Sequence, residues 1–191
     1  MKIKLLPKGD LCKADCLQQS ILNPRKRKRY RTFGYIKKQY AKNPKLFIGC
    51  YDRDRLVGII FGFVKKETVL LGEFAVDKTY RRRGIGKKML VLFEVHAKAT
   101  GKKRILLGSK EDAERFYLDR GYLPLLFVQI QHKKVPKDYR RKGYDIIKET
   151  NYPDAKRLFI RGEKCNPRLK GKAKKDFNAY DVIYLFKKEI K

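Results

Sequence analysis

The stretch Leu70-Leu71-Gly72-Glu73-Phe74-Ala75-Val76-Asp77-Lys78-Thr79-Tyr80-Arg81-Arg82-Arg83-Gly84-Ile85-Gly86 decides the fold. Its first half, Leu70 to Val76, is apolar apart from Glu73 and reads as a buried strand. Its second half is a short basic turn with two glycines. A helical pattern follows over 85–100, with Ile85, Met89, Leu92, Phe93 and His96 on one face and Lys87, Lys88, Glu94 and Lys98 off it. A strand therefore ends, a glycine turn bares backbone N–H groups, and a helix N-terminus points out of it. The first N–H groups of a helix lack partners and carry partial positive charge, so this assembly suits phosphate. Glycine lets a ligand approach the backbone, and three arginines add charge-assisted bonds.

Outward from this stretch, the flanking segments read as follows. Residues 2–6 alternate lysine and apolar residues, as an edge strand does. Asp10 is placed to cap a helix through about Leu22, with Leu11, Ala14, Leu17 and Ile21 as its apolar side. Asn23-Pro24 stops it. A basic run, Arg25-Lys26-Arg27-Lys28-Arg29-Tyr30-Arg31, leads into a second helix over about 30–42. Leu46–Tyr51 and Leu56–Lys65 are β-rich runs joined by Asp52-Arg53-Asp54-Arg55, which predicts a hairpin, and Val69–Val76 makes a third antiparallel neighbour.

After the central helix, Gly101 is a C-terminal cap and Arg104–Leu107 a short buried strand. The helix crosses over between two strands, which predicts a parallel pair. Ser109-Lys110-Glu111-Asp112 reads as a capping box, with Ser109 as N-cap, opening a helix to about Arg120 that Gly121 ends. Ala113, Phe116 and Tyr117 form its buried face. Leu123–Gln131 is the next strand, and Ala179–Lys187 the last. Between them, residues 132–178 predict an exposed basic loop, two β-like runs (144–148 and 157–161) separated by Pro153-Asp154, and a basic helix from Asn166-Pro167 to Phe177.

Composition narrows the function. The chain has 191 residues, 42% of them hydrophobic, enough for one domain with a real core. Fifty basic and 20 acidic residues leave a net charge of +30. Charge of this size strains a compact chain by self-repulsion, which points to an anionic partner, with nucleic acid the leading candidate. General solubility in an anionic cytosol is the plainer alternative. Cys12, Cys16, Cys50 and Cys165 match no zinc spacing. Cys12 and Cys16, four apart on a helix, read as packed thiols, and His96 as a structural histidine on the core side. No metal is expected. The longest apolar run, Leu56–Val64, is too short to span a bilayer. The amino terminus has no long apolar segment, so no signal peptide and no membrane partner are expected, and a reducing cytoplasm fits.

Arg81-x-x-Gly84-x-Gly86 after a strand resembles the acetyl-CoA pyrophosphate loop of the GNAT N-acetyltransferase superfamily. Ala113-x-x-Phe116-Tyr117-x-x-x-Gly121-Tyr122 is similar to the second block of that family, in the family's order. The resemblance covers about 1–130 and the last strand. It implies an α/β fold: a mixed, mostly antiparallel twisted sheet flanked by helices. It also implies one domain over 1–191, with 132–178 as a basic elaboration.

The resemblance further implies acetyl-CoA as cosubstrate. The pyrophosphate would sit on N–H groups from Arg82 to Lys87, within the loop Arg81, Arg82, Arg83, Gly84, Ile85, Gly86 and Lys87. The pantetheine arm would lie along Phe74, Ala75 and Val76, with an N–H near Ala75 or Val76 facing the thioester oxygen. Ser109, Asp112 and Phe116 would complete the CoA-binding set. Lys110 stands where many relatives carry Asn, and Ser109 could replace that contact.

Tyr117 stands where many relatives keep a general acid near the CoA sulfur; the alternative is a core aromatic at helical spacing. Glu73 stands where relatives place a base, acting through water; the alternative is a strand carboxylate paired with an arginine. Two functional classes follow. One is an N-acetyltransferase whose acceptor amine is associated with nucleic acid. The other is a GNAT-fold module that has lost catalysis and binds RNA or the ribosome.

Overall fold

The computed structural model describes residues 1–25, 31–109 and 111–190. These fall into two compact units, Met1–Ile105 with the residues from Glu189 onward, and Leu106–Lys188. The secondary structure is α/β, and every strand pair described below is antiparallel, in accord with the class implied by the resemblance.

In the first unit, β1 (Lys2–Leu5), β2 (Phe47–Asp52), β3 (Arg55–Lys65) and β4 (Thr68–Val76) form an antiparallel meander. The β2–β3 hairpin turns at Arg53, whose φ is 51°. Helix α1 (Leu11–Leu22) and α2 (Phe33–Lys42) precede β2, and α3 (Ile85–Lys98) follows β4. Register and contacts separate the two sheet faces. A Cβ on Gly58 would meet Met89 Sδ and one on Gly62 the Phe93 ring, so α3 packs on the face of these glycines. Tyr35 of α2 meets Phe63 edge-on at 5.5 Å on the other face.

Strand β4 carries a bulge that the sequence pattern does not announce. Phe61 pairs with Glu73 and Gly62 with Leu71, leaving Gly72 extra. Glycine is required there, since a Cβ would lie 2.1 Å from the Phe63 ring. The extra residue shifts the alternation by one, so Glu73 joins Leu70, Phe61 and Phe63 on the face away from α3.

Several expectations need correction. Asp10 is the N-cap residue of α1 but makes no cap bond. Its carboxylate instead accepts from the Tyr51 hydroxyl at 2.8 Å and pairs with Lys13. The buried face of α1 is Leu11, Ala14, Asp15 and Gln18, while Leu17 and Ile21 are only half-buried. That rotation leaves Cys12 and Cys16 exposed rather than packed; only Cys50 is buried. Helix α2 starts at Phe33, because the Thr32 side chain accepts from Tyr35 N–H and fixes the cap there. The buried stripe of α3 is Ile85, Met89, Leu90, Phe93 and Ala97. His96 is half-buried at its flank, not in the core.

In the second unit, β6 (Leu123–Gln131) pairs with β9 (Asp181–Glu189) on one side and β8 (Ala155–Arg161) on the other. Strand β7 (Ile146–Asn151) closes the edge on β8. Within residues 132–178, β7 and β8 form a hairpin around Pro153-Asp154, and α5 (Pro167–Asp176) follows. Strand β5 (Arg104–Gly108) contains the boundary between the units. The helix expected from Ser109 is shorter: α4 spans Glu114–Leu118 with Ala113 as N-cap, behind a 3-10 turn at Glu111–Ala113. The Ser109–Asp112 capping box therefore does not open the α-helix. Among the described residues, no helix is long and apolar enough to cross a membrane.

Candidate functional site

At the end of β4 the chain folds into a tight, polar turn. Asp77 Oδ1 accepts from the backbone N–H and the hydroxyl of Thr79, and its Oδ2 pairs with Arg55 at 3.1 Å. These bonds hold the Asp77 carboxyl below its usual range, the Thr79 N–H contributing most. Arg81 folds back so that its Nε donates to Val76 O at 3.0 Å, tying the turn to the strand end. Tyr80 donates to Asp52 at 2.9 Å, and the Arg83 guanidinium lies 5.3 Å from its ring.

Two left-handed positions, with one residue between them, steer the chain into α3: Arg82 at φ 60° and Gly84 at φ 73°. Gly84 is the N-cap of α3 and offers no side-chain cap. A Cβ built there would meet nothing within 4 Å, so the space above the helix end is open. The first intrahelical bond runs from Lys88 N–H to Gly84 O. The N–H groups of Ile85, Gly86 and Lys87 lie in the first turn, where a helix has no acceptor for them. Arg81, Arg82, Arg83 and Lys87 are exposed around them. The sequence-predicted loop residues are therefore brought together as one basic, uncapped helix N-terminus, and Phe74, Ala75 and Val76 lead directly into it. Of these three, Ala75 is buried and the others are half-buried.

Glu73 sits one strand pleat before Phe74 and is held from two elements. Arg31 Nη1 donates to Glu73 Oε1 at 2.7 Å, and Gln18 Nε2 donates to Oε2 at 3.2 Å. Arg31 also lies 5.1 Å over the Phe63 ring. Its side chain is 20% exposed and that of Glu73 14%. Gln18 is buried although polar, which explains why the α1 stripe is rotated. Sequence reading anticipated an arginine partner for Glu73 in general terms; Gln18 and Arg31 themselves, 55 and 42 residues away, carried no local signal. Arg31, Thr32, Tyr35, Lys65 and Leu70 line a depression of about 490 Å³ on this face. Most of the basic run before it, Lys26–Tyr30, lies outside the described residues, as does Lys110.

In the second unit, Tyr117 is 6% exposed within an aromatic nest. Phe116, Tyr122 and Phe186 lie 5.1, 5.7 and 5.5 Å away, centroid to centroid. Burial alone pushes its phenol well above the ordinary tyrosine range, so it stays protonated through neutral pH. Ser109, Asp112 and Phe116 all lie in this unit: Ser109 just after β5, Asp112 in the 3-10 turn and Phe116 on α4. Among the described residues, no group of three or more His, Cys, Asp or Glu side chains is placed to hold a metal.

Comparison with known proteins joins these observations. Residues 14–122 match the acetyltransferase (GNAT) family. A probable N-acetyltransferase 14 from Xenopus tropicalis is 35% identical over 110 residues, 55% of this chain and 48% of its own length. The chain thus spans about half the length of this curated relative. Among solved structures, a GNAT-family acetyltransferase from Staphylococcus aureus Mu50 superposes with a TM-score of 0.56 at 21% identity, covering 85% of this chain and 99% of that one. Chaetomium thermophilum Naa20, solved with a bisubstrate analogue, gives a TM-score of 0.56 at 19% identity over 86% and 87%. At such identities these two likenesses speak for the fold alone. The family match covers more than half of the chain and includes the β4–α3 turn, and on that ground this protein belongs to the GNAT acetyltransferase family.

Proposed function

We propose that this protein is an N-acetyltransferase that moves the acetyl group of acetyl-CoA to an amine. One observation carries the reading: α3 opens on a left-handed glycine with no capping side chain, among exposed arginines at the end of a strand. Such an end holds a pyrophosphate on backbone N–H groups and on guanidinium charge. In this reading Arg82 to Lys87 take the pyrophosphate. Phe74–Val76 take the pantetheine arm, and Ser109, Asp112 and Phe116 are further cosubstrate-binding residues, as the family resemblance implies. The amine nitrogen attacks the thioester carbon, the C–S bond breaks, and the thiolate takes its proton from Tyr117. Glu73 receives the amine proton through water, its carboxylate fixed by Arg31 and Gln18. Both units form one catalytic domain with 132–178 as its elaboration, supported by a family match that runs past Ile105 to Tyr122. Four free cysteines support a reducing cytoplasm.

The acceptor amine is presented by, or next to, nucleic acid. The net charge of +30 supports this, since it repels polycationic acceptors and draws in anionic ones.

Thermal unfolding with and without acetyl-CoA tests the enzyme reading. At about a hundredfold over its dissociation constant the ligand adds roughly 2.7 kcal/mol, and an unmoved transition overturns it. In turnover assays, Tyr117→Phe lowers kcat about 10²–10⁴-fold with acetyl-CoA affinity kept; an unchanged kcat makes Tyr117 a packing residue.

A further inference from the structure

The four strands of the second unit have two unlike faces. One carries Leu126, Val128, Leu158, Ile160, Val182, Tyr184 and Phe186, all buried. The register places a different set on the other face. In one row Lys148 of β7 stands beside Phe159 of β8, which stands beside Phe127 of β6. In the next, Thr150, Arg157, Gln129 and Asp181 follow across β7, β8, β6 and β9. Phe127, Phe159 and Arg157 are only half-buried, and Lys148 is exposed.

Two tyrosines bracket that second row. Tyr152, in the β7–β8 turn, is 46% exposed, and Tyr180, just before β9, is 48% exposed. The Arg157 guanidinium stacks 3.6 Å from the Tyr152 ring. Tyr180 reaches the same row through its hydroxyl, 3.5 Å from Gln129 Oε1. Among the described residues no carboxylate pairs with Arg157 or Lys148, although neighbouring Arg161 has Asp145. Arg157 Nε is buried with no hydrogen-bond partner. The cation is thus positioned by ring faces, not by an anion. The row's one acid, Asp181, is engaged by Gln129 Nε2 at 2.8 Å.

Exposed aromatic rings with unpaired cations between them match the chemistry of a single nucleic-acid strand, whose bases stack on rings while its phosphates pair with cations. We propose that the open face around Tyr152, Arg157, Gln129 and Tyr180, with Lys148 beside it, binds single-stranded polynucleotide. This gives the nucleic-acid part of the proposed function a location. It is independent of acetyl transfer, so the test omits acetyl-CoA.

The test is fluorescence anisotropy of the full chain with end-labelled 12-mers: oligo-U RNA, oligo-dT and a duplex, each over a salt series. The single strands bind at least tenfold tighter than the duplex, and preference for U over T or the reverse identifies the sugar. Tyr152→Ala with Tyr180→Ala weakens single-strand binding at least tenfold and leaves the salt slope unchanged. Arg157→Gln lowers the slope by about 0.7, the value for one phosphate on a single strand. Lys98→Gln, an exposed charge on α3, changes neither the aromatic dependence nor the single-strand preference. Equal binding of duplex and single strand overturns the proposal. So does a folded tyrosine double variant, checked by its melting curve, that binds oligo-U as the parent does.

Discussion

Two helices of this protein begin in opposite ways. At α5 every early donor is spoken for. Pro167 has no N–H, Arg168 and Leu169 both donate to Asn166 Oδ1, and Lys170 donates to Asn166 O. Asn166 N–H itself is 3.0 Å from the Tyr184 hydroxyl. At α3 the N-cap is Gly84, and the first N–H to find a helical acceptor is that of Lys88. Both ends lie among basic residues, so charge does not distinguish them. One residue does: an asparagine seals a helix end with its own oxygen, and a glycine leaves the donors for something else. Charge alone does not mark a ligand site in a chain that carries 50 basic residues.

The contrast can be broken by experiment, with the largest effect at the open end. Gly84→Val puts a β-branched side chain at φ 73° and into the space above the donors. The stabilisation by acetyl-CoA should then fall from roughly 2.7 to about 0.4 kcal/mol or less, a loss of about a hundredfold or more in affinity by the linkage relation. Normal binding by a folded Gly84→Val protein would mean that the open end is not a phosphate site.

The next effect is at the sealed end. Burial pushes the Cys165 thiol, one residue before the cap, up to about 12, with Glu114 adding to it. A raised value means little thiolate below that pH. After allowing for the higher nucleophilicity of a more basic sulfur, it should react with a disulfide reagent at pH 8 about a hundredfold more slowly than an ordinary thiol. Mass spectrometry of partly labelled protein reads this directly, and fast labelling at Cys165 would show that this end opens. Smaller again, Arg82→Ala or Arg83→Ala should each weaken acetyl-CoA about tenfold, the range of one charge-assisted bond, while Arg168→Ala should not. Smallest, Asn166→Ala should lower stability by about 1 kcal/mol in denaturant unfolding and leave acetyl-CoA affinity alone. A cost near zero would mean that water caps α5 as well as asparagine does.

What could be read in the sequence follows the same division between local and distant causes. Asn166-Pro167, the β2–β3 hairpin, and glycines at the ends of α3 and α4 are local signals, and they stand where the sequence puts them. Gly101 and Gly121 both have positive φ, as helix-ending glycines do. The residues that shape the Glu73 environment were illegible because their reasons are remote. Gln18 looks like a solvent residue on an amphipathic helix until the strand it faces is known. Asp10 looks like a cap until Tyr51, 41 residues away, claims its carboxylate. The start of α4 differs because Ser109 and Asp112 match a capping box by spacing alone, whereas Asp112 lies in a 3-10 turn and Ser109 stands before it.

The bulge in β4 carries a consequence for how this strand can change over generations. Gly72 has no partner, while Leu71 and Glu73 face consecutive residues of β3, Gly62 and Phe61. Loss of the single codon for Gly72 would therefore leave each remaining cross-strand pair of that ladder with the partner it has now, and only the bend would go. The ladder does not require the bend. A lineage could gain or shed it in one in-frame step, and its persistence would have to be explained by what Glu73 and the strand beyond it do.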